Sequence, residues 1–249
     1  MQRIPEEEQM KVFAKTDIGR VRSLNEDSLY LPQESENFCA VADGMGGHNA
    51  GEVASTMAVE VFAREMRAGM VPDGFALKRA VERANREVYE KSCSAEGYSG
   101  MGTTFTALAL HAGRIAIAHV GDSRAYRIRG GEISRLTMDH TYVEELVQQG
   151  VITPHEAKYH PKRNYITRAL GTVPRVEVDL TETELQAGDV YLLCSDGLTG
   201  YIEDSELLSV SCAKGSWEDK IEKLVNRALS AGGSDNITCM YAVFEEDQK

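Results

Sequence analysis

The sequence predicts an α+β fold in which antiparallel sheets carry helices on their outer faces. Three observations lead there. Strand-like apolar runs outnumber helical segments and cluster together in the chain. Short turns, GRIAI at 113–117 and RGGEI at 129–133, join such runs as hairpins rather than as crossovers. Helical periodicity is confined to a few segments at the flanks of the strand clusters, not alternated with single strands as βαβ units require.

Period-2 or continuous apolar patterns place strands near 10–16, 27–31, 38–42, 103–110, 114–120, 124–129, 176–180, 189–194 and 236–244. A helix is predicted over 50–68, where Val53, Met57, Val61 and Met66 share a broad apolar face. The same period recurs over 75–93 through Leu77, Val81, Ala84 and Val88. Two more helices are expected at 141–149 and at 217–230, the latter with Ile221, Leu224, Val225 and Ala228 turned inward. Residues 150–165 are polar, weakly periodic and hold two prolines, which reads as a surface flap.

A chain of 249 residues can bury one substantial core, and no linker, repeat or low-complexity stretch divides it. One domain over 1–249 is therefore expected. The net charge of −12 argues against a nucleic-acid binder, which would show a basic face. It also means that an anionic substrate would need cations in the site. No apolar run approaches the roughly 20 residues that cross a bilayer. The segment MQRIPEEEQMKVF has charge where a signal peptide needs its apolar stretch. A cytoplasmic protein with no membrane partner is expected. The five cysteines, Cys39, Cys93, Cys194, Cys212 and Cys239, are an odd number without paired spacing, and three lie in strand-like runs. Buried free thiols follow from that.

The chemistry-bearing feature is a set of four aspartates, each ending an apolar run and followed at once by Gly, Ser or Asn. They are Asp43 in FCAVADGMGGH, Asp122 in IAIAHVGDSRAY, Asp196 in VYLLCSDGLTG and Asp235 in GGSDNITCMYAVF. Strands deliver side chains to fixed places, and turns expose them. Several carboxylates brought together without basic partners repel one another unless a cation lies between them. Oxygen-only donors select Mg²⁺ or Mn²⁺ over zinc. Asp before Gly is also ordinary turn chemistry, so the pattern points to a multi-metal hydrolytic site without naming a reaction.

Several better-known motifs fail on geometry. In His155-Glu156…His160 the second histidine falls five residues after the first, about 140° around a helix, so one face cannot offer both to zinc. Gly44-Met45-Gly46-Gly47-His48-Asn49 lacks the final glycine of a dinucleotide fingerprint. No Walker lysine follows a glycine cluster, and Gly121-Asp122-Ser123-Arg124-Ala125 misses the last glycine of a nucleophile elbow. A cysteine phosphatase needs arginine six residues after its thiolate, and none of the five cysteines has one.

Taken in order, eight segments resemble the type 2C metal-dependent Ser/Thr protein phosphatases in their compact bacterial form. These are Arg22-Ser23-Leu24-Asn25-Glu26-Asp27, Asp43-Gly44-Met45-Gly46-Gly47-His48, Gly102-Thr103-Thr104, Val120-Gly121-Asp122-Ser123-Arg124, Leu136-Thr137-x-Asp139-His140, Ile166-Thr167-Arg168-Ala169-Leu170-Gly171, Ser195-Asp196-Gly197-Leu198 and Asp235-Asn236-Ile237-Thr238. The resemblance covers about 12–244 and implies two central antiparallel sheets sandwiched between helices, with a metal centre in a cleft at one edge. Residue by residue, it implies that Asp43 bridges two Mn²⁺ or Mg²⁺ ions, that the Gly44 carbonyl binds one, and that Asp196 and Asp235 bind the other. Glu26 would hold metal-bound water, and Asp27 would support the shell. Asp122 with Asp196 matches a third metal position of bacterial relatives. Hydroxide bridging the two ions would attack phosphorus directly, with Arg22 holding the phosphate through two parallel N–H bonds. Animal members carry a histidine directly after the Asp-Gly pair. Here that position is Met45, so either His48 or a metal-bound water would protonate the leaving group.

The implied activity is hydrolysis of phosphoserine and phosphothreonine in proteins by a monomer that opposes a Ser/Thr kinase. A dedicated phosphatase with one phosphoprotein target is the second enzymatic reading. A partner-binding pseudo-enzyme is the third, and it should have lost the carboxylates that Asp43, Asp196 and Asp235 retain.

Overall fold

The computed structural model describes residues 10–46, 50–68 and 71–244. Among these, eleven strands and seven α-helices follow in the order β1 (Met10–Asp17), β2 (Asp27–Tyr30), β3 (Phe38–Met45), α1 (Ala50–Arg67), α2 (Gly74–Ser92), β4 (Gly102–Thr103), β5 (Phe105–His111), β6 (Arg114–Val120), β7 (Arg124–Arg129), β8 (Glu132–Arg135), α3 (Tyr142–Gln148), α4 (Pro154–Tyr159), β9 (Asp179–Glu184), β10 (Val190–Cys194), α5 (Asp196–Thr199), α6 (Asp204–Ser211), α7 (Trp217–Ala231) and β11 (Ile237–Phe244).

The strands form two antiparallel sheets. One has the order β1-β11-β10-β7-β8; the other has the order β2-β3-β5-β6-β9, with β4 paired onto β3. Both expected hairpins are present, Arg114 opposite His111 and Glu132 opposite Arg129.

Alternation along the central strands explains the layering. In β3, Cys39 and Val41 face the other sheet, while Ala40 and Ala42 face α1 and α2. In β11, Met240 and Ala242 point between the sheets, while Cys239, Tyr241 and Val243 point to α7. Strands buried on both faces read as continuous apolar runs, as these do. The layers are therefore helix, sheet, sheet, helix. Leu77, Val81, Ala84 and Val88 of α2, and Ile221, Leu224, Val225 and Ala228 of α7, are all buried as expected. On α1 the burial falls mostly on small residues such as Ala54 and Ala58. Val53 and Met57 are only partly covered.

Three expectations need correction. The strand expected at 176–180 begins at Asp179: Val176 and Val178 are buried in the core under α2, but ladder pairing with β6 starts only afterwards. β3 runs on to Met45 because Gly44 and Met45 pair with Thr103 and Gly102, so Asp43 lies inside a strand and not at its end. Residues 150–165, largely exposed, include the helix α4, whose Thr153 and Glu156 form a reciprocal capping box. Cys39, Cys194 and Cys239 are buried free thiols, while Cys93 and Cys212 are exposed. Among the described residues no helix is long and apolar enough to cross a membrane.

Candidate metal centre and phosphate site

The acidic residues come together where corresponding ends of the two sheets meet. Asp27 and Asp43 are register partners across β2 and β3. Asp196 opens α5 just after β10, Asp235 precedes β11, and Asp122 occupies the turn between β6 and β7. The two sheets are stitched together at this point. Ser195 Oγ donates to Asp27 Oδ2 at 2.8 Å and accepts from the Thr238 N–H at 3.0 Å. Asp43 is fixed through its backbone: its N–H donates to Thr104 Oγ1 at 2.9 Å, and its carbonyl accepts from Thr103 Oγ1 at 2.9 Å. Thr104 Oγ1 also contacts Ser123 Oγ at 2.8 Å, which ties the Asp43 strand to the Asp122 turn.

Two glycines have a packing requirement of their own. A Cβ on Gly44 would stand 2.2 Å from the Gly51 carbonyl oxygen, and one on Gly197 would stand 1.9 Å from that of Asn236. The start of α1 and the start of α5 can approach the centre this closely only over glycine.

The electrostatics are those of crowded acids. Burial raises the Asp43 pKa well above the usual carboxylate range, and the charges of Asp27, Asp196, Asp122 and Asp235 raise it further. Burial followed by neighbouring carboxylates pushes Asp27 up to about 7, Asp122 up to about 8 and Asp196 up to about 6. For Asp196, the proximity of the Asp43 carboxyl works the other way and lowers its pKa. Burial also raises Glu26, against the pull of Arg22 and the Gly51 N–H.

Arg22 stands at the mouth, about half exposed, and donates to Asp235 Oδ2 at 2.9 Å with Glu26 Oε2 at 3.7 Å. Burial opposes its charge, but Asp235, Glu26 and Asp43 outweigh that, and its pKa is raised. Beyond Asp122, Arg124 clamps Asp139 through Nε and Nη2 at 2.7–3.1 Å. His140 Nδ1 accepts from the Gly121 N–H at 2.9 Å, and its Nε2 lies 3.2 Å from Asp179 Oδ2 and 3.0 Å from Arg168 Nη1.

This donor set fits hard divalent cations. It is all oxygen, and Asp27 Oδ1 is buried without any hydrogen-bond partner among like-charged neighbours. Among the described residues no three acidic, histidine or cysteine side chains close on one point as a complete cage. Ions held here would share carbonyls, water and phosphate oxygens with the carboxylates, as Mg²⁺ commonly does.

The structure thus brings together Glu26, Asp43, Gly44, Asp122, Asp196, Asp235 and Arg22 from the sequence-predicted set. His48 lies in 47–49, outside the described residues. His155 lies tilted against Tyr159 with ring centroids 5.3 Å apart, while His160 caps the end of α4 and accepts from the Lys162 N–H through Nδ1. Sequence reasoning gave no role to Thr104, Ser123, Ser195 or Asn236. Each adjoins a quoted motif aspartate or lies in a quoted motif, but hydroxyls and amides carry no charge signal of their own.

Acidic oxygen donors gathered where the ends of two packed sheets meet are the setting of a metal-dependent hydrolase. Residues 19–240 match protein phosphatase 2C, and the chain belongs to that family. It is 37% identical over 242 residues to the serine/threonine phosphatase stp of Listeria monocytogenes, covering 94% of this chain and 96% of that one. Among solved structures it resembles the catalytic domain of serine threonine protein phosphatase PstP in complex with two manganese ions. That likeness has a TM-score of 0.86 and 38% identity, over 95% of this chain and 99% of that one. It also resembles serine/threonine phosphatase Stp1 from Staphylococcus aureus, with a TM-score of 0.90 and 35% identity over 99% of each chain.

Proposed function

We propose that this chain hydrolyses phosphoserine and phosphothreonine in proteins at this acidic cluster, as a single-domain monomer in the cytoplasm that opposes a Ser/Thr kinase. The observation that carries the reading is the meeting of Asp43, Asp196 and Asp235 with Arg22 beside them, in a family whose relatives are named for this activity.

Asp43, reached by the charges of all four other aspartates, would bridge two ions, with the Gly44 carbonyl on one and Asp196 and Asp235 on the other. Glu26 would hold a water molecule, and Asp122 with Asp196 would take a third ion. A pair of divalent ions held by these residues would supply, when bound, a hydroxide nucleophile near neutral pH. Everything else falls to the chain's own groups. Arg22 turns from Asp235 and Glu26 to hold the phosphoryl oxygens, neutralising charge that grows as the bond to phosphorus breaks. Asp27, tied to Ser195, keeps the β2 and β10 ends in register beneath the site. Thr103 and Thr104 hold the Asp43 backbone still. His48 or solvent delivers a proton to the departing serine or threonine oxygen.

The test is turnover of a phosphothreonine peptide by chelator-treated protein, with Mn²⁺ and Mg²⁺ added back singly. Activity restored by either ion, with Mn²⁺ at least matching Mg²⁺, supports the reading, and undiminished activity in excess chelator rejects it.

A further inference from the structure

Arg22 lies on a loop, 18–26, that has neither helix nor strand and whose tip, Arg20–Ser23, is exposed. A guanidinium on such a loop would ordinarily wander, which is poor geometry for a phosphate clamp. One side chain nevertheless ties both ends of the loop at its base, beside the local bonds of Asn25 Nδ2 to Thr16 Oγ1, of Ser55 Oγ to the Glu26 carbonyl and of the Gly19 N–H to Asp17 Oδ1. Asn236, 4% exposed, donates through Nδ2 to the carbonyls of Ile18 and Leu24, each at 2.9 Å. Its Oδ1 accepts from the Glu26 N–H at 2.8 Å. Both amide hydrogens and the carbonyl are thereby used, on three backbone groups that span the loop from end to end. The same turn adds two more restraints. Arg20 N–H donates to the Gly233 carbonyl at 2.7 Å, and a Cβ on Gly19 would come within 2.2 Å of the Asp235 carbonyl oxygen.

We propose that Asn236 is the positioning residue for Arg22: it clasps the loop so that the phosphate-binding arginine and Asp235 move as one body. The proposal rests on Arg22 being the phosphate clamp. Asn236 touches no reacting atom and acts only through the loop. Its backbone N–H separately donates to Asp235 Oδ1 at 2.9 Å. That bond does not involve the amide side chain, so truncating the side chain releases the loop while leaving the carboxylate its partner.

The experiment is a double-mutant cycle on Arg22→Ala and Asn236→Ala in the Mn²⁺-loaded protein. It reads the affinity for inorganic phosphate by calorimetry and kcat/KM on p-nitrophenyl phosphate, beside Mn²⁺ affinity and thermal melts. Each single variant should weaken phosphate binding by about ten- to a hundredfold, the scale of misplacing a catalytic group by about an ångström. The double variant should be no weaker than Arg22→Ala, and Mn²⁺ affinity should stay near that of the parent. If Asn236→Ala does not melt cooperatively, Asn236→Ser, which keeps a polar atom but cannot reach all three partners, takes its place. Effects that multiply, an Asn236 variant with unaltered phosphate affinity, or a loss confined to Mn²⁺ binding would each overturn the proposal alone. An Arg22→Ala variant that binds phosphate normally would overturn the reading of Arg22 and the proposal with it.

Discussion

Asp27 Oδ2 accepts a hydrogen bond from Ser195 Oγ at 2.8 Å, while Asp27 Oδ1, also buried, has no partner. One carboxylate therefore joins β2 of one sheet to the end of β10 in the other, and keeps a bare oxygen within reach of the charges of Asp196 and Asp235. A bare buried oxygen costs stability unless something positive neutralises it.

The first prediction follows from that cost. In the metal-free protein Asp27, Asp122 and Asp196 titrate near 7, 8 and 6, above the 3.8 of a free aspartate, chiefly because of burial. A carboxylate that binds its proton more tightly when folded contributes stability that is present at low pH and lost as pH rises through the folded pKa. Chelated protein should thus melt lower at about pH 8 than at about pH 5.5, and Mn²⁺ should raise Tm more at the higher pH, where it replaces the missing protons. Asp27→Asn should flatten the fall. Equal Tm values across that window, with and without Mn²⁺, would contradict the cluster's electrostatics.

Asp122 offers a second test. It sits on the β6–β7 turn, apart from the elements that carry Asp43, Asp196 and Asp235, so its loss should leave two ions bound. Asp122→Ala should bind two Mn²⁺ and turn over phosphopeptide more slowly, on the order of tenfold. Three ions still seen in crystals of that variant at high Mn²⁺ would remove Asp122 from the metal assignment.

The layers, the buried faces of α2 and α7, and the carboxylate set were all legible in the sequence, because apolar periodicity and repeated strand–Asp–turn signals are local. What escaped was set by contacts distant in the chain. Asp43 looks like a strand end until Gly102 and Thr103 extend the ladder beside it. Val176 and Val178 look like a strand, yet they pack beneath α2 without pairing. Helix α6 shows only a weak apolar stripe over eight residues. The capping box Thr153…Glu156 was a local signal, hidden by the proline between them, which favours the first helical turn rather than breaking it.

The segment 150–165 gives a third prediction. Two of its basic residues are already engaged: Lys158 pairs with Glu203 at 2.8 Å, and Lys162 lies over the rings of Tyr142 and Tyr165. An anionic phosphoprotein would compete for those cations. Neutralising Lys158, Lys162 and Arg163 together should raise KM for phosphoproteins while barely changing p-nitrophenyl phosphate hydrolysis. Comparable losses on both substrates would show that the segment supports the fold or the chemistry instead.

Leaving-group chemistry separates Arg22 from His48. A phosphate clamp acts on every substrate, whereas a general acid matters only when the departing oxygen needs a proton. Arg22→Ala should slow p-nitrophenyl phosphate and a phosphoserine peptide alike, by roughly ten- to a thousandfold. If His48 is the acid, His48→Ala should slow the peptide far more than the aryl ester. Equal effects on the two would leave solvent as the proton source.

The most direct test of the metal-centre account is Asp43→Ala, assayed for phosphothreonine-peptide turnover and for bound Mn²⁺ in the same preparation. The carboxylate it removes is the one that feels the charges of Asp27, Asp122, Asp196 and Asp235 at once. The account predicts a folded protein that has lost turnover and no longer holds a pair of ions. Parental turnover in that variant, or two Mn²⁺ ions still bound with unaltered affinity, would contradict it.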